Sequence, residues 1–215
     1  TCEVEVVIPD TVGYDATGVK GYFEEETILL KGSYANIMTA YPGATIDKVV
    51  MGETDLNVDT SEGDNQFTID ITAHKDLFVS GMNTLSFHLT VGGETKIVNY
   101  EILMVTKIID SSEELLNLAE TAKEQSEGAT TWSGYYELGA DIDLNGAALS
   151  LGMIGTGAAD GFIGTIDGRG YAIKDILNTS EGSVFGTLGQ TGVIKNLMIS
   201  DYQFYSSAIG LFDKV

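Results

Sequence analysis

The residues best suited to chemistry in this chain are its carboxylates, two histidines and a knot of aromatics. Asp141-x-Asp143-x-Asn145-Gly146 imitates the first half of a calcium loop, in which alternate oxygen ligands converge on one cation and glycine makes the turn. The position that would supply the bidentate glutamate is Gly152, so the ligand set is incomplete. Ile142 and Leu144 alternate with the polar residues as in a strand. The segment therefore reads as a strand start and turn, with Asp141, Asp143 and Asn145 kept as weak metal candidates. His74 and His88 are 14 residues apart, with no one-turn helical spacing to converge them on a metal; they read as strand-surface residues. Asp160, Asp167 and Asp175 could supply the paired acids of a glycosidase or lyase. Asp160-Gly161 and Asp167-Gly168 are better explained as turns, and the basic residues an acidic sugar would need are scattered over Lys123, Arg169, Lys174, Lys195 and Lys214.

Neither a nucleophile elbow, a P-loop nor a dinucleotide fingerprint occurs; Gly152 to Gly157 is glycine-rich but has no lysine after it. The sequence thus predicts no catalytic residue, no cofactor and no enzymatic activity of its own. Trp132, Tyr135 and Tyr136 are the candidate ligand contacts, because exposed aromatic faces stack on sugar rings. Their competing role is to close the apolar end of a β-structure.

The composition narrows the partners. Of 215 residues, 43% are hydrophobic and 20% charged, which is the profile of a folded globular chain. Acidic residues number 32 against 11 basic, a net charge of −21, and Arg169 is the sole arginine. Nucleic acid needs basic groups that displace its counterions, and anionic membrane surfaces need them too, so both are disfavoured. Cys2 is the only cysteine, which excludes an internal disulfide and any multi-cysteine metal site. Its position invites comparison with a lipidated cysteine, but no apolar signal region precedes it, and it reads as a strand residue. A leader is expected to have been removed. No apolar run approaches the ~20 residues of a membrane span.

The elements that must position these groups are strands. Twenty-six glycines leave little room for long helices. Phe67, Ile69 and Ile71 alternate with polar residues, as do Leu85, Phe87, Leu89 and Val91. Further strands are expected from Thr27 towards Ala35, from Asp47 to Leu56 and from Thr95 to Val105. Gly92-Gly93 marks a hairpin turn. Residues 1–107 are accordingly expected to form an Ig-like β-sandwich. A single helix is expected from Ile108 to Glu127, its body at about 111–126, with Ser111 and Glu114 as a capping box and Leu115, Leu118, Ala119 and Ala122 on one face.

Residues 108–215 then change character. Gly164-Thr165-Ile166 is matched by Gly186-Thr187-Leu188, 22 positions on, and Ile173-Lys174-Asp175-Ile176 by Ile194-Lys195-Asn196-Leu197, 21 positions on. Phe185-Gly186-Thr187-Leu188 is matched by Phe212-Asp213-Lys214-Val215. The last match is 27 positions on, and a period of 21 to 27 residues fits rungs of a truncated right-handed parallel β-helix, capped by the helix, with Phe162, Ile166, Ile173, Phe185, Leu188 and Ile194 stacked inside. The last rung is expected to be unfinished, and to fray or self-associate through its open edge.

The second half resembles a family of bacterial surface proteins. Tyr136-Glu137-Leu138 with Asp141-Ile142-Asp143-Leu144, and Phe162-Ile163-Gly164-Thr165-Ile166-Asp167-Gly168-Arg169-Gly170-Tyr171-Ala172-Ile173, are similar to its signature. Gly182-Ser183-Val184-Phe185-Gly186 and Ile209-Gly210-Leu211-Phe212 resemble its GLUG motif. This motif occurs in secreted bacterial proteins, including N-terminal regions of IgA-specific metallopeptidases and adhesin-like proteins of gut bacteria. The resemblance implies an extracellular or cell-surface β-helical module, with a host glycan or protein of unknown identity as partner. The alternative it leaves is an accessory region of a secreted peptidase or polysaccharide-degrading enzyme whose catalytic domain lies outside this chain. The peptidase's H-E-x-x-H helix is not in this sequence.

Overall fold

The computed structural model describes residues 10–12, 18–61, 63–118, 133–147, 162–178, 184–185 and 187–204. Of the described residues 52% are strand and 13% helix, so the structure is mainly β. It forms two compact units, Thr1–Val105 and Thr106–Val215.

In the first unit, β1 (Asp10–Val12), β2 (Lys20–Tyr22), β4 (Thr45–Met51), β5 (Thr54–Leu56), β8 (Gly81–Val91) and β9 (Glu94–Val105) form one sheet. A second sheet holds β3 (Leu29–Ser33), β6 (Val58–Asp59) and β7 (Gln66–Asp70). The long hairpin β8–β9 turns at Gly92 and Gly93, whose φ angles of 60° and 89° suit glycine, and closes with Val91 opposite Glu94. Leu85, Phe87 and Leu89 from β8 meet Leu30, Phe67 and Ile69 from the second sheet in one core. The rings of Phe67 and Phe87 meet edge-on at 5.4 Å, with Tyr100 beside both.

Three local expectations are corrected here. The strand expected over Asp47 to Leu56 is the hairpin β4–β5, turning at Gly52 with φ 60°. Two short helices were not expected: α1 (Ala35–Ala40), anchored by buried Ile37, and a 3-10 turn at Thr72–Leu77 that carries His74. The 3-10 turn is seeded by side chains, because Asp70 accepts the Thr72 N–H at 2.9 Å and Thr72 accepts the Ile28 N–H at 2.9 Å.

Among the described residues of the second unit every strand pair is parallel. One sheet runs β10 (Lys107–Ile109), β11 (Tyr135–Leu138), β13 (Thr165–Asp167), β15 (Val193–Lys195). The other runs β12 (Ile142–Asp143), β14 (Ala172–Asn178), β16 (Met198–Phe204). The chain alternates between the two sheets, and side chains from both share one core. Phe162, Ile166, Ile173 and Phe185 are buried there, with Leu188 and Ile194 packed against them.

The register corrects the repeat. Ile166 stands between Tyr136 and Ile194, and Ile173 between Ile142 and Ile199, so equivalent positions lie 26–31 residues apart, meeting the expected 21–27 only at its upper end, and the segments matched at 21 and 22 are not register partners. Leu188 sits beside Phe162, not below Ile166. Glycine sets the phase. Gly134, Gly164 and Gly192 each precede a strand of the first parallel sheet, and a Cβ on Gly164 would lie 2.2 Å from the Gly134 carbonyl oxygen. One on Gly192 would lie 2.2 Å from the oxygen of Phe162. Thr165 and Val193 donate across these approaches to the carbonyls of Gly134 and Gly164. Asn145, Asp175 and Asp201 turn the other sheet's strands with φ near 50°, a conformation that Asn and Asp tolerate best.

The expected helix begins late. Residues 107–109 are strand β10 paired with β11, and helix α2 occupies residues 112–118 of the described chain. Ile108 and Ile109 are β-branched and favour the strand. Ser111 accepts the Glu114 N–H at 3.3 Å, while the Glu114 carboxylate accepts the Asp110 N–H at 3.1 Å and meets Lys107 at 3.0 Å. The Asp110 N–H, with Lys107 behind it, brings the Glu114 carboxyl down to about 2. Leu115 is buried, and Leu116 and Leu118 pack on the same core; the expected continuation to Glu127 lies outside the described residues. Among the described residues no helix is long and apolar enough to cross a membrane.

The glycine column yields the first prediction. Gly164 has no left-handed backbone to protect, so alanine there should be opposed by the backbone clash alone. Gly164→Ala should lower the stability of the second unit by about 2–3 kcal/mol. Gly52→Ala meets nothing within 4 Å and should cost about 1 kcal/mol for its φ. Equal melting shifts for the two variants, measured by calorimetry, would contradict the glycine column.

Candidate functional site

The densest polar cluster among the described residues lies on the outward side of the first parallel sheet. Tyr136, Ile166 and Ile194 form its inward column; Glu137, Asp167 and Lys195, one residue on, form the next. Neighbouring parallel strands lie about 4.8 Å apart, so Glu137 and Asp167 would repel unless cations were interleaved. Glu137 is 1% exposed and Asp167 9%, which makes partners obligatory. Arg169 Nη1 lies 3.4 Å from Glu137, and Lys195 Nζ 3.3 Å from Asp167. Asn196 donates its carboxamide to Asp167 at 3.0 Å, the Arg169 backbone N–H donates at 3.0 Å, and the Tyr135 hydroxyl donates at 3.3 Å. Lys195 also stands 5.5 Å above the Tyr135 ring.

The electrostatics follow this wiring. Burial alone would raise the Asp167 carboxyl, but the bonds from Asn196, the Arg169 N–H and Lys195 outweigh it and hold it below its ordinary range. Burial would likewise lower Lys195, yet Tyr135 and Asp167 raise it. Tyr135 is pushed up, by burial first. An acid held ionised against a cation held protonated is an ion pair, not a proton-transfer pair.

The backbone presents this cluster from a tight corner. Asn196 follows β15 directly and Arg169 lies two residues past the end of β13; both have φ 51°. Gly168 donates to the Lys195 carbonyl at 2.9 Å and Gly170 to the Asn196 carbonyl at 2.7 Å, so the two turns stack. A Cβ on Gly168 would strike the Asn196 oxygen at 2.5 Å.

The weak metal candidates do not converge in this structure. Asp141 accepts the Ala172 N–H at 2.9 Å and pairs with Lys174, which first, and the N–H second, hold its carboxyl low. Asp143 accepts the Asn145 N–H at 2.9 Å and closes the turn through Asn145 and Gly146. Among the described residues, no three His, Cys, Asp or Glu side chains are grouped to hold a metal ion. His74 and His88 belong to the first unit, in the 3-10 turn and β8. Of the three imagined acids, Asp167 lies in β13, Asp175 is a corner of β14, and Asp160 lies outside the described residues.

The aromatic candidates separate. Tyr136 is 6% exposed and belongs to the core, its hydroxyl pushed up to about 12 by burial. Tyr135 joins the polar column. Trp132 and Cys2 lie outside the described residues. The sequence reading passed over Glu137, Arg169, Lys195 and Asn196. For Glu137 and Lys195 the signal is the position after an inward Tyr or Ile, and it emerges only once the strands are aligned 28–30 residues apart; Arg169 and Asn196 lie in the turns that follow. No family model, curated protein or solved structure matches this chain.

Asp167→Ala should cost about 1–2 kcal/mol at neutral pH, because it removes the acceptor shared by Asn196, Tyr135, Lys195 and the Arg169 N–H. The carboxyl is held below its ordinary 3.8, so its contribution is present above that value and lost as pH falls through the folded-state value. Denaturant titrations of both proteins should therefore differ at pH 7 and converge in acid. A constant difference would remove the carboxylate from the account.

Proposed function

We propose that this chain is a non-catalytic module of a secreted or cell-surface bacterial protein that binds a host glycan or protein. In this reading the first unit is an Ig-like β-sandwich and the second the opening rungs of a right-handed parallel β-helix capped by α2. Parallel strands alternating between two sheets, with equivalent positions 26–31 residues apart, support stacked rungs. Right-handed crossovers are the general rule for parallel strands. The GLUG-like segments support the surface location.

The observation that carries the non-catalytic part is the occupancy of Asp167. Asn196, Lys195, Tyr135 and the Arg169 N–H all bond to its two oxygens, and Arg169 holds the neighbouring Glu137. General acid–base work needs one carboxyl protonated and another open to water or substrate. Asp167 is held ionised and its oxygens are taken up by these donors. The test is a screen of the purified chain against arrayed glycans and extracellular host proteins, with product assays on the same glycans. Saturable binding without turnover is expected. Polysaccharide cleavage abolished by Asp167→Ala would refute the reading.

A further inference from the structure

We infer that the corner formed by the stacked turns at 168–170 and 195–196 is a contact site for a neutral sugar residue; this rests on the binding function proposed above. A sugar presents adjacent hydroxyls, each able to donate and accept. The corner offers groups at fixed positions: the Asn196 carboxamide donates and accepts, and the Lys195 ammonium and the Arg169 guanidinium donate, while the buried Asp167 carboxylate holds Asn196 and Lys195 in place. Their mutual bonds at 3.0–3.3 Å hold Asp167, Asn196 and Lys195 in place before any ligand arrives, so little side-chain freedom is lost on binding. Arg169 reaches Glu137 through one nitrogen at 3.4 Å and its side chain is 46% exposed, leaving most of its donor fork facing water.

The sugar's apolar face needs a ring. Lys195 already stands over Tyr135. Tyr171, two residues beyond Arg169 in the same turn, is 36% exposed and supplies one. Charge selects the ligand class. Glu137 and Asp167 balance Arg169 and Lys195, so the corner has no surplus cation to attract an acidic sugar, and a chain of net charge −21 disfavours one. The backbone agrees: Arg169 occupies a left-handed conformation that glycine or asparagine would adopt with less strain, so arginine is held there for its side chain.

The test uses the intact chain on an array of oligosaccharides ending in neutral hexoses, N-acetylhexosamines or fucose, beside sialylated and sulfated ones and host proteins. Kd for the best neutral sugar is then measured by calorimetric titration for the parent, Tyr171→Ala and Arg169→Lys. Arg169→Lys keeps the charge against Glu137 but removes the fork. Neutral-sugar binding weakened about tenfold or more in both variants, with unchanged circular dichroism, is the expected result. If Arg169→Lys does not fold, Tyr171→Ala alone decides. Neutral-sugar binding with unaltered Kd would overturn the corner while leaving the binding function standing, as would binding only of charged glycans or of proteins. No binding of any arrayed ligand would overturn both.

Discussion

The second unit depends on the register between parallel strands. A parallel strand receives no hairpin from its neighbour to fix its phase, so the phase must come from side chains and from places where backbones nearly touch. Here the stack alternates an apolar column, Tyr136–Ile166–Ile194, with a charged one, Glu137–Asp167–Lys195. A slip of one residue would set a carboxylate against the core and an isoleucine against the cations. The glycines at 164 and 192 restrict the phase further, because only a residue without Cβ fits against the neighbouring carbonyl, and a Cβ on Gly134 would strike the Tyr136 ring. Core, polar corner and turn geometry are consequences of this alignment.

The charged column illustrates why buried ion pairs serve specificity better than stability. Removing Glu137 from water is costly, and the attraction of a buried ion pair such as that with Arg169 is largely offset by that cost. The wiring is selective: Asp167 is satisfied only when Lys195 and Asn196 arrive from the next strand and turn. The same selectivity leaves a row of rigid polar groups at the surface, where the proposed binding function has its clearest chemistry.

Much of the fold could be read from the sequence where the signal is local. Gly92-Gly93 sits at a hairpin because two left-handed residues are required there. Ser111 and Glu114 cap a helix because their side chains reach backbone donors three or four residues away. Alternation along Leu85, Phe87 and Leu89 marked a strand with one buried face. The repeat phase could not be read locally. Ile173-Lys174 and Ile194-Lys195 look alike because each is an inward isoleucine followed by a lysine, yet they belong to different sheets. The polar corner was illegible for the same reason: Glu137, Asp167 and Lys195 are three different residue types that become a set only through register. The short helices of the first unit were hidden because one buried residue, Ile37, suffices to anchor α1.

Register can be measured directly with paired cysteines in a Cys2→Ser background. Adjacent strands bring Cα atoms within the range a disulfide spans, about 4.4–6.8 Å. Thr165 and Val193 are register partners on β13 and β15, whereas a 22-residue repeat would pair Thr165 with Thr187. Air oxidation of Thr165→Cys/Val193→Cys should give a cross-linked monomer, seen as a reductant-sensitive shift on a denaturing gel, while Thr165→Cys/Thr187→Cys stays reduced. Efficient cross-linking of the second pair with none in the first would contradict the alignment on which the core, the corner and the proposed function stand.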